Sequence, residues 1–214
     1  SINLIENFLK VNNSPSNCKF IFSSTGGAIY GDANIIPTPE TYQELPLSPY
    51  GVSKLSFEKY LNYYYKVHKL PFTILRYANV YGPRQDSNGE AGVVAIFSDR
   101  ILNNKKVIIH NDGKQTRDFV FVKDVVRANI LALEKEKTGI FNIGSGEETT
   151  INGIYNKLKD LSGLDCKKNY KELKFIEQSR SCLDNEKARE ELGWSPSYDL
   201  EEGLREIIRF FKNH

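Results

Sequence analysis

Three stretches decide the fold: Cys18-Lys19-Phe20-Ile21-Phe22, then Ser48-Pro49-Tyr50-Gly51-Val52-Ser53-Lys54, then Phe72-Thr73-Ile74-Leu75-Arg76-Tyr77. The first and third are short apolar runs of strand length. Between them Ser48 is a favourable N-cap and Pro49 suits the first helical position, so a helix is predicted from there to about His68. Strand, crossover helix, strand is the signature of a parallel α/β sheet.

Outward from this unit, Ile2, Leu4, Ile5, Phe8 and Leu9 recur at helical spacing. No cap or initiator methionine precedes them, so the chain reads as beginning at or inside a helix. The first strand is expected to end in the polar cluster Ser23-Ser24-Thr25-Gly26-Gly27. Asn79 to Pro83 reads as a turn beyond the strand ending at Tyr77. Shorter elements follow: helices near Val94–Leu102, Val125–Glu136, Ile151–Leu161 and Asn185–Leu192, and extended pieces at Val107–Ile109, Asp118–Val122 and Phe141–Ile143. Gly193 is expected to cap one helix, and Asp199 with Glu202 to form a capping box at the start of the last.

The 214 residues carry a formal net charge of +2, and both signs are interspersed. That balance gives no reason to invoke nucleic acid or a membrane surface. Cys18, Cys166 and Cys182 are odd in number and widely spaced, which suits reduced thiols in a cytoplasmic protein. With three histidines and no CxxC, no metal site is expected. The apolar runs are too short to span a bilayer, and no signal-peptide pattern opens the sequence.

Tyr50 and Lys54 stand four residues apart, on one helix face. A free phenol titrates near ~10, and a cation beside a phenol favours the phenolate, so such a pair can serve as a proton acceptor. Tyr65/Lys69, Tyr155/Lys159 and Tyr170/Lys174 have the same spacing, so context must choose. Tyr50 lies in the first turn of its helix, by the carboxyl ends of the parallel strands, where open α/β sheets bind ligands. Thr25 closes the preceding strand at the same edge.

Phe22-Ser23-Ser24-Thr25-Gly26-Gly27-Ala28-Ile29-Tyr30-Gly31, Ser48 to Lys54, and Leu75-Arg76-Tyr77-Ala78-Asn79-Val80-Tyr81-Gly82-Pro83 resemble the extended short-chain dehydrogenase/reductase family. Gln115 to Val125, Phe141 to Gly146 and Ala188 to Trp194 continue the likeness in order. Within that family the chain is most similar to the NAD-dependent sugar-nucleotide epimerases, UDP-glucose 4-epimerases above all. Related 4,6-dehydratases carry an Asp-Glu pair after the hydroxyl residue, where Gly26 and Gly27 stand here.

The resemblance implies an α/β fold: the C-terminal part of a Rossmann-type parallel sheet over residues 1–82, and a small α/β nucleotide-sugar-binding domain made mainly from residues 83–214. It implies NAD as a bound cofactor, with Tyr50 exchanging the proton at the sugar C4 hydroxyl. Lys54 would hold the nicotinamide ribose, Thr25 would hydrogen-bond the reacting oxygen, and Tyr77 would line the nicotinamide. Asn79 and Arg117 match diphosphate contacts, and His110 stands where an aromatic residue flanks the uracil. Lys174 replaces the arginine of an Arg-Pro-Gly motif, Glu177 matches a ribose contact, and Ser181 falls where the family faces the sugar C2 substituent. A small residue there implies room for N-acetyl groups. The family's helices matching residues 1–10 and 50–68 build a homodimer.

The family's Gly-rich pyrophosphate turn has no counterpart before Cys18, and Gly144-Ser145-Gly146 echoes it only in part. Competing readings are a decarboxylase, dehydratase or reductase of the same family, and a non-catalytic nucleotide-sugar-binding fragment.

Overall fold

The computed structural model describes residues 2–11, 16, 18–88, 92–172 and 178–213. Helix α1 (Ile2–Val11) precedes strand β1 (Phe20–Thr25), the single turn α2 (Gly26–Ile29), helix α3 (Pro49–His68) and strand β2 (Phe72–Tyr77). β1 and β2 run parallel in the register Phe20↔Phe72 to Thr25↔Tyr77. The strand–helix–strand unit read from the sequence is therefore present. Its polar end differs: Ser23, Ser24 and Thr25 belong to the strand, because β2 offers each a hydrogen-bonded partner through Leu75, Arg76 and Tyr77.

Ser48 caps α3 by accepting from Gly51 N at 3.1 Å, and Pro49 occupies the first turn. Phe57, Leu61 and Tyr64 form its buried stripe and pack with Ile5, Leu70, Phe72 and Ile74 on one face of the sheet. Each such burial contributes roughly 1.5–3 kcal/mol.

The chain then leaves this sheet for helix and strand pairs of its own. Asn79–Tyr81 forms strand β3, where a turn was expected from the sequence. It pairs parallel with β5 (Thr116–Phe121), and a ladder partner about forty residues away is invisible to local pattern. Between them lie α4 (Val93–Leu102) and β4 (Val107–His110). Helix α5 (Val122–Glu134) starts three residues before its expected position, directly off β5. Strand β6 (Gly139–Ile143) returns to the first sheet, parallel to β2, giving the order β1-β2-β6. β7 (Glu148–Thr150) pairs antiparallel with β5, and β8 (Lys168–Lys171) pairs parallel with β4.

Helices α6 (Ile151–Ser162) and α7 (Leu200–Lys212) pack with α4 over a second core that includes Phe97, Ile109, Phe121, Ile154 and Ile207. Asp199 and Glu202 make the expected capping box on α7. A π-helical turn at Ala188–Leu192 ends at Gly193, whose φ of 70° suits glycine. Trp194, fully buried, donates its indole N–H to Asp124 O at 2.9 Å. Among the described residues no helix is long and apolar enough to cross a membrane.

Candidate active site

The C-terminal ends of β1 and β2 carry the residues expected to act. Lys54, one turn into α3 from Tyr50, reaches back to the sheet and donates to Ser23 O at 2.9 Å. Its ammonium lies 5.1 Å from the Phe22 ring centroid and 5.7 Å from that of Tyr50, so the cation stands beside the phenol's ring. Tyr50 itself is 55% exposed. Gly51 permits this approach: a Cβ there would lie 2.7 Å from Ala28 O. Tyr77, closing β2, accepts from Asn129 Nδ2 at 2.8 Å and lies 3.2 Å from Ser23 Oγ.

Thr25, Asn79 and Ser181 come from three separate segments and converge on Gly27. A Cβ on Gly27 would stand 3.4 Å from Asn79 Oδ1 and 4.0 Å from both Thr25 Oγ1 and Ser181 Oγ. Thr25 is the N-cap of α2 but makes no side-chain cap bond. Two hydroxyls and an amide are thus drawn together around Gly27, groups suited to an alcohol-rich ligand.

Asp118 is tied to the segment that carries Ser181. It is buried, and its carboxylate accepts from Ser145 N and Oγ at 2.7 Å, from Leu183 N at 3.1 Å and from Gly146 N at 3.3 Å. Burial nevertheless pushes its carboxyl above the usual range, against those four donors. It ties β5 to the loop after β6 and to the segment carrying Ser181. Burial first, then the Asp118 charge, pushes the neighbouring Cys182 thiol up to about 12. Neither was expected from the sequence to organise the site; the aspartate beside a motif arginine was the available signal.

His110 ends β4 and lines a cavity of about 450 Å³ with Ile96, Phe97, Arg100, Gln115 and Lys171. A slot with aliphatic and aromatic walls and polar groups at its rim suits a planar heterocycle. Gln115 Nε2 donates to His110 O at 3.2 Å, and Arg117 follows two residues later on β5, next to Asp118 in sequence. Arg117 Nη1 donates to Thr116 O at 2.7 Å. Lys174 and Glu177 lie outside the described residues. Among the described residues no group of three or more His, Cys, Asp and Glu is disposed to hold a metal ion.

The sequence profile of the NAD dependent epimerase/dehydratase family matches residues 1–144. The chain belongs to this family. It is 45% identical over 196 residues to a putative UDP-glucose 4-epimerase of Methanocaldococcus jannaschii, covering 92% of this chain and 64% of the relative. Among solved structures it is similar to the UDP-glucose 4-epimerase of Thermotoga maritima with UDP-glucose, at 52% identity and TM-score 0.89, covering 91% of this chain and 63% of that one. The UDP-glucose 4-epimerase of Thermus thermophilus in complex with NAD follows at 38% identity and TM-score 0.86, with 91% and 64% covered. The α/β fold with its parallel sheet is the fold of these structures. The chain spans somewhat under two thirds of the length of the relatives it matches.

The residues present fit the nicotinamide end of a dinucleotide: an ammonium and a phenol on one helix face, at the ends of parallel strands, offer a donor and an acid–base group.

Proposed function

We propose that this chain supplies the acid–base pair and the nucleotide-sugar face of an NAD-dependent enzyme that epimerises a UDP-hexose at C4. The observation that carries this reading is the Tyr50–Lys54 pair at the ends of the parallel strands, with Thr25, Asn79 and Ser181 drawn together around Gly27. Tyr50, Lys54 and Tyr77 would hold the nicotinamide end of NAD, which when bound supplies the hydride acceptor and donor. Thr25 orients the C4 hydroxyl by a hydrogen bond. Tyr50 takes that hydroxyl's proton as the 4-keto sugar forms and returns it once the sugar has turned over. Lys54, fixed on Ser23 O, keeps positive charge beside the phenol through both steps.

Arg117 and Asn79 serve the diphosphate, the former by charge and fork geometry. The slot beside His110 takes the uracil. Lys174 and Glu177 complete the nucleotide contacts. Residues 1–82 form the cofactor side, rejoined by β6, and residues 83–214 form mainly the nucleotide-sugar side. The exposed Ile2, Val52, Tyr60 and Tyr63 on α1 and α3 form an apolar face suited to a second copy of the chain, as a homodimer. Two buried thiols, Cys166 and Cys182, suit a cytoplasmic protein.

The test is conversion of UDP-galactose to UDP-glucose by the chain supplied with NAD, followed by product mass and by NAD released on denaturation. Tyr50→Phe is expected to lower the rate by about 10²–10⁴. A product of altered mass, or an undiminished rate in Tyr50→Phe, would refute the assignment. Because Ser181 is small, UDP-N-acetylglucosamine is expected to turn over as well, and Ser181→Tyr to abolish that turnover while sparing UDP-galactose.

A further inference from the structure

Beneath the strand ends lies a buried charged cluster that the proton-transfer chemistry does not use. Arg76 is fully buried, and Glu58 on α3 is 1% exposed. Arg76 Nε donates to the two Glu58 oxygens at 3.1 and 3.2 Å, and Nη2 donates to Glu58 Oε2 at 2.6 Å. Nη2 also donates to Glu44 Oε1 at 2.9 Å, and Nη1 to Tyr30 Oη at 2.8 Å. Ser24 Oγ donates to Glu58 Oε1 at 2.5 Å. Burial opposes the Arg76 charge, yet the bonds from Glu58 and Tyr30 hold its pKa above the ordinary value. Arg76 therefore stays a cation. Burial pushes Tyr30 up to about 12, so that phenol remains a donor, to Asn142 Oδ1 at 2.9 Å.

The members of this cluster are the immediate neighbours of the residues that act. Ser24 precedes Thr25 on β1, and Arg76 precedes Tyr77 on β2. Successive strand residues point to opposite faces, so one member of each couple faces the cluster and the other faces away. Glu58 follows Lys54 by four residues and Tyr50 by eight, along one stripe of α3. The two halves of α3 are anchored differently. Beyond Glu58, Leu61 and Tyr64 sink into the apolar core. Before it, Tyr50, Val52, Ser53 and Ser56 are exposed; Phe57 packs edge-on against Phe20 and Phe22, and the other anchors are buried Gly51, half-buried Leu55, the Lys54 bond to Ser23 and the ion pair at Glu58.

Resting on the function proposed above for Tyr50 and Lys54, we infer that Arg76 and Glu58 are positioning residues. Their ion pair fixes the catalytic half of α3 in register with the ends of β1 and β2. A well-packed apolar pair can replace a buried ion pair without loss of fold, so stability and positioning are separable. The geometry of the first two turns is the property that an apolar pair does not restore.

The experiment compares the wild-type chain with Glu58→Gln and with the double variant Glu58→Leu/Arg76→Met. Amide exchange by mass spectrometry is read over residues 50–57 and 60–67, alongside thermal unfolding and UDP-galactose turnover. Exchange is expected to rise about tenfold over 50–57 in folded variants and to stay within about twofold over 60–67. Turnover is expected to show kcat down about tenfold or more with KM within about threefold, the split of a positioning defect. Unchanged exchange over 50–57 in a folded variant would overturn the inference, as would an equal rise along the whole helix. If the double variant does not fold, Glu58→Gln, which keeps the shape but removes the charge and one of the two acceptor oxygens, decides between these outcomes. A wild-type chain without turnover refutes the catalytic reading alone, and the exchange measurement still judges the ion pair.

Discussion

Replacing Gly51 by alanine sets two effects of opposite sign against each other. In a helix interior alanine is favoured over glycine by about 0.8–1.0 kcal/mol. At this position, however, the added Cβ would lie 2.7 Å from Ala28 O and 2.9 Å from Pro46 Cβ. Ala28 O belongs to the backbone and Pro46 is a rigid ring, so neither can swing aside. Reaching an ordinary 3.4 Å contact requires α3 to move back from α2 by about 0.7 Å. Overpacking of this kind costs typically about 1–3 kcal/mol, so Gly51→Ala is expected to be net destabilising by about 1 kcal/mol. The moving turn carries Tyr50. A misplacement near 1 Å is worth about 10²-fold in rate, so turnover of UDP-galactose is expected to fall at least about tenfold. Urea unfolding followed by circular dichroism gives the stability, with Ser56→Ala on the outer face as the control for helix propensity alone. A Gly51→Ala chain more stable than wild type by about 1 kcal/mol would mean that propensity governs the site and that the close approach is not constraining.

Cysteine labelling tests the packing independently. Cys166 and Cys182 are 3% and 2% exposed, and burial raises the Cys182 thiol to about 12. An aromatic disulfide reagent is therefore expected to modify Cys18 alone in the native chain at about pH 8, and all three thiols after denaturation. Prompt native labelling of Cys182 would contradict its placement behind Asp118. Acid sensitivity tests the edge of the charged cluster. Burial works to raise the Glu44 carboxyl, but hydrogen bonds from Arg76 and Lys59 outweigh it and hold the group below the usual range. A carboxyl depressed on folding stabilises above its unfolded pKa of about 4.3 and loses that contribution as pH falls through the folded value. Glu44→Gln is thus expected to be less stable than wild type at about pH 6 and to converge with it below about pH 4, read from melting temperatures across that range. A gap that persists in acid would refute the role of its charge.

Some of this was legible in the sequence because the signals are local. Ser48 and Pro49 announce the start of α3, Asp199 and Glu202 the start of α7, and Gly193 the end of a helical turn, each through backbone groups within a few residues. The apolar runs at Phe20–Phe22 and Phe72–Leu75 announce a sheet by composition. What escaped is what depends on distant partners. Ser23 to Thr25 look like a loop until β2 is beside them, and Asn79–Tyr81 is a strand only because Phe119–Phe121 lies alongside. Glu58 and Arg76 escaped for a different reason: charged residues are seldom fully buried, so a sequence assigns them to the surface by default. The motif likeness pointed to Thr25, Asn79 and Ser181 separately, and their meeting over Gly27 is a property of the fold.

The segment carrying Ser181 makes the physical point behind that meeting. Residues 178–184 form no strand, and a single bridge from Leu183 to Thr38 is their share in a ladder. An irregular stretch with Cys182 and Leu183 buried must still satisfy its backbone groups. It does so through fixed partners: Thr38 N donates to Cys182 O at 2.9 Å, Asp184 N to Thr38 O at 3.0 Å, Leu183 N to Asp118 Oδ2, and Asn142 Nδ2 to Asp184 O at 3.1 Å. Those partners sit on β5, on β6 and in the loop before α3. Asn142 also bonds Tyr30, and Tyr30 bonds Arg76. The Ser181 hydroxyl is therefore placed by the same buried polar chain that ends at Glu58 on the helix of Tyr50 and Lys54. An apolar core fixes distances only to the tolerance of packing, whereas hydrogen bonds fix direction as well. A site assembled from three segments far apart in sequence needs direction, and that requirement accounts for full burial of Arg76, Asp118 and Asn142, each a polar residue held by several hydrogen-bond partners.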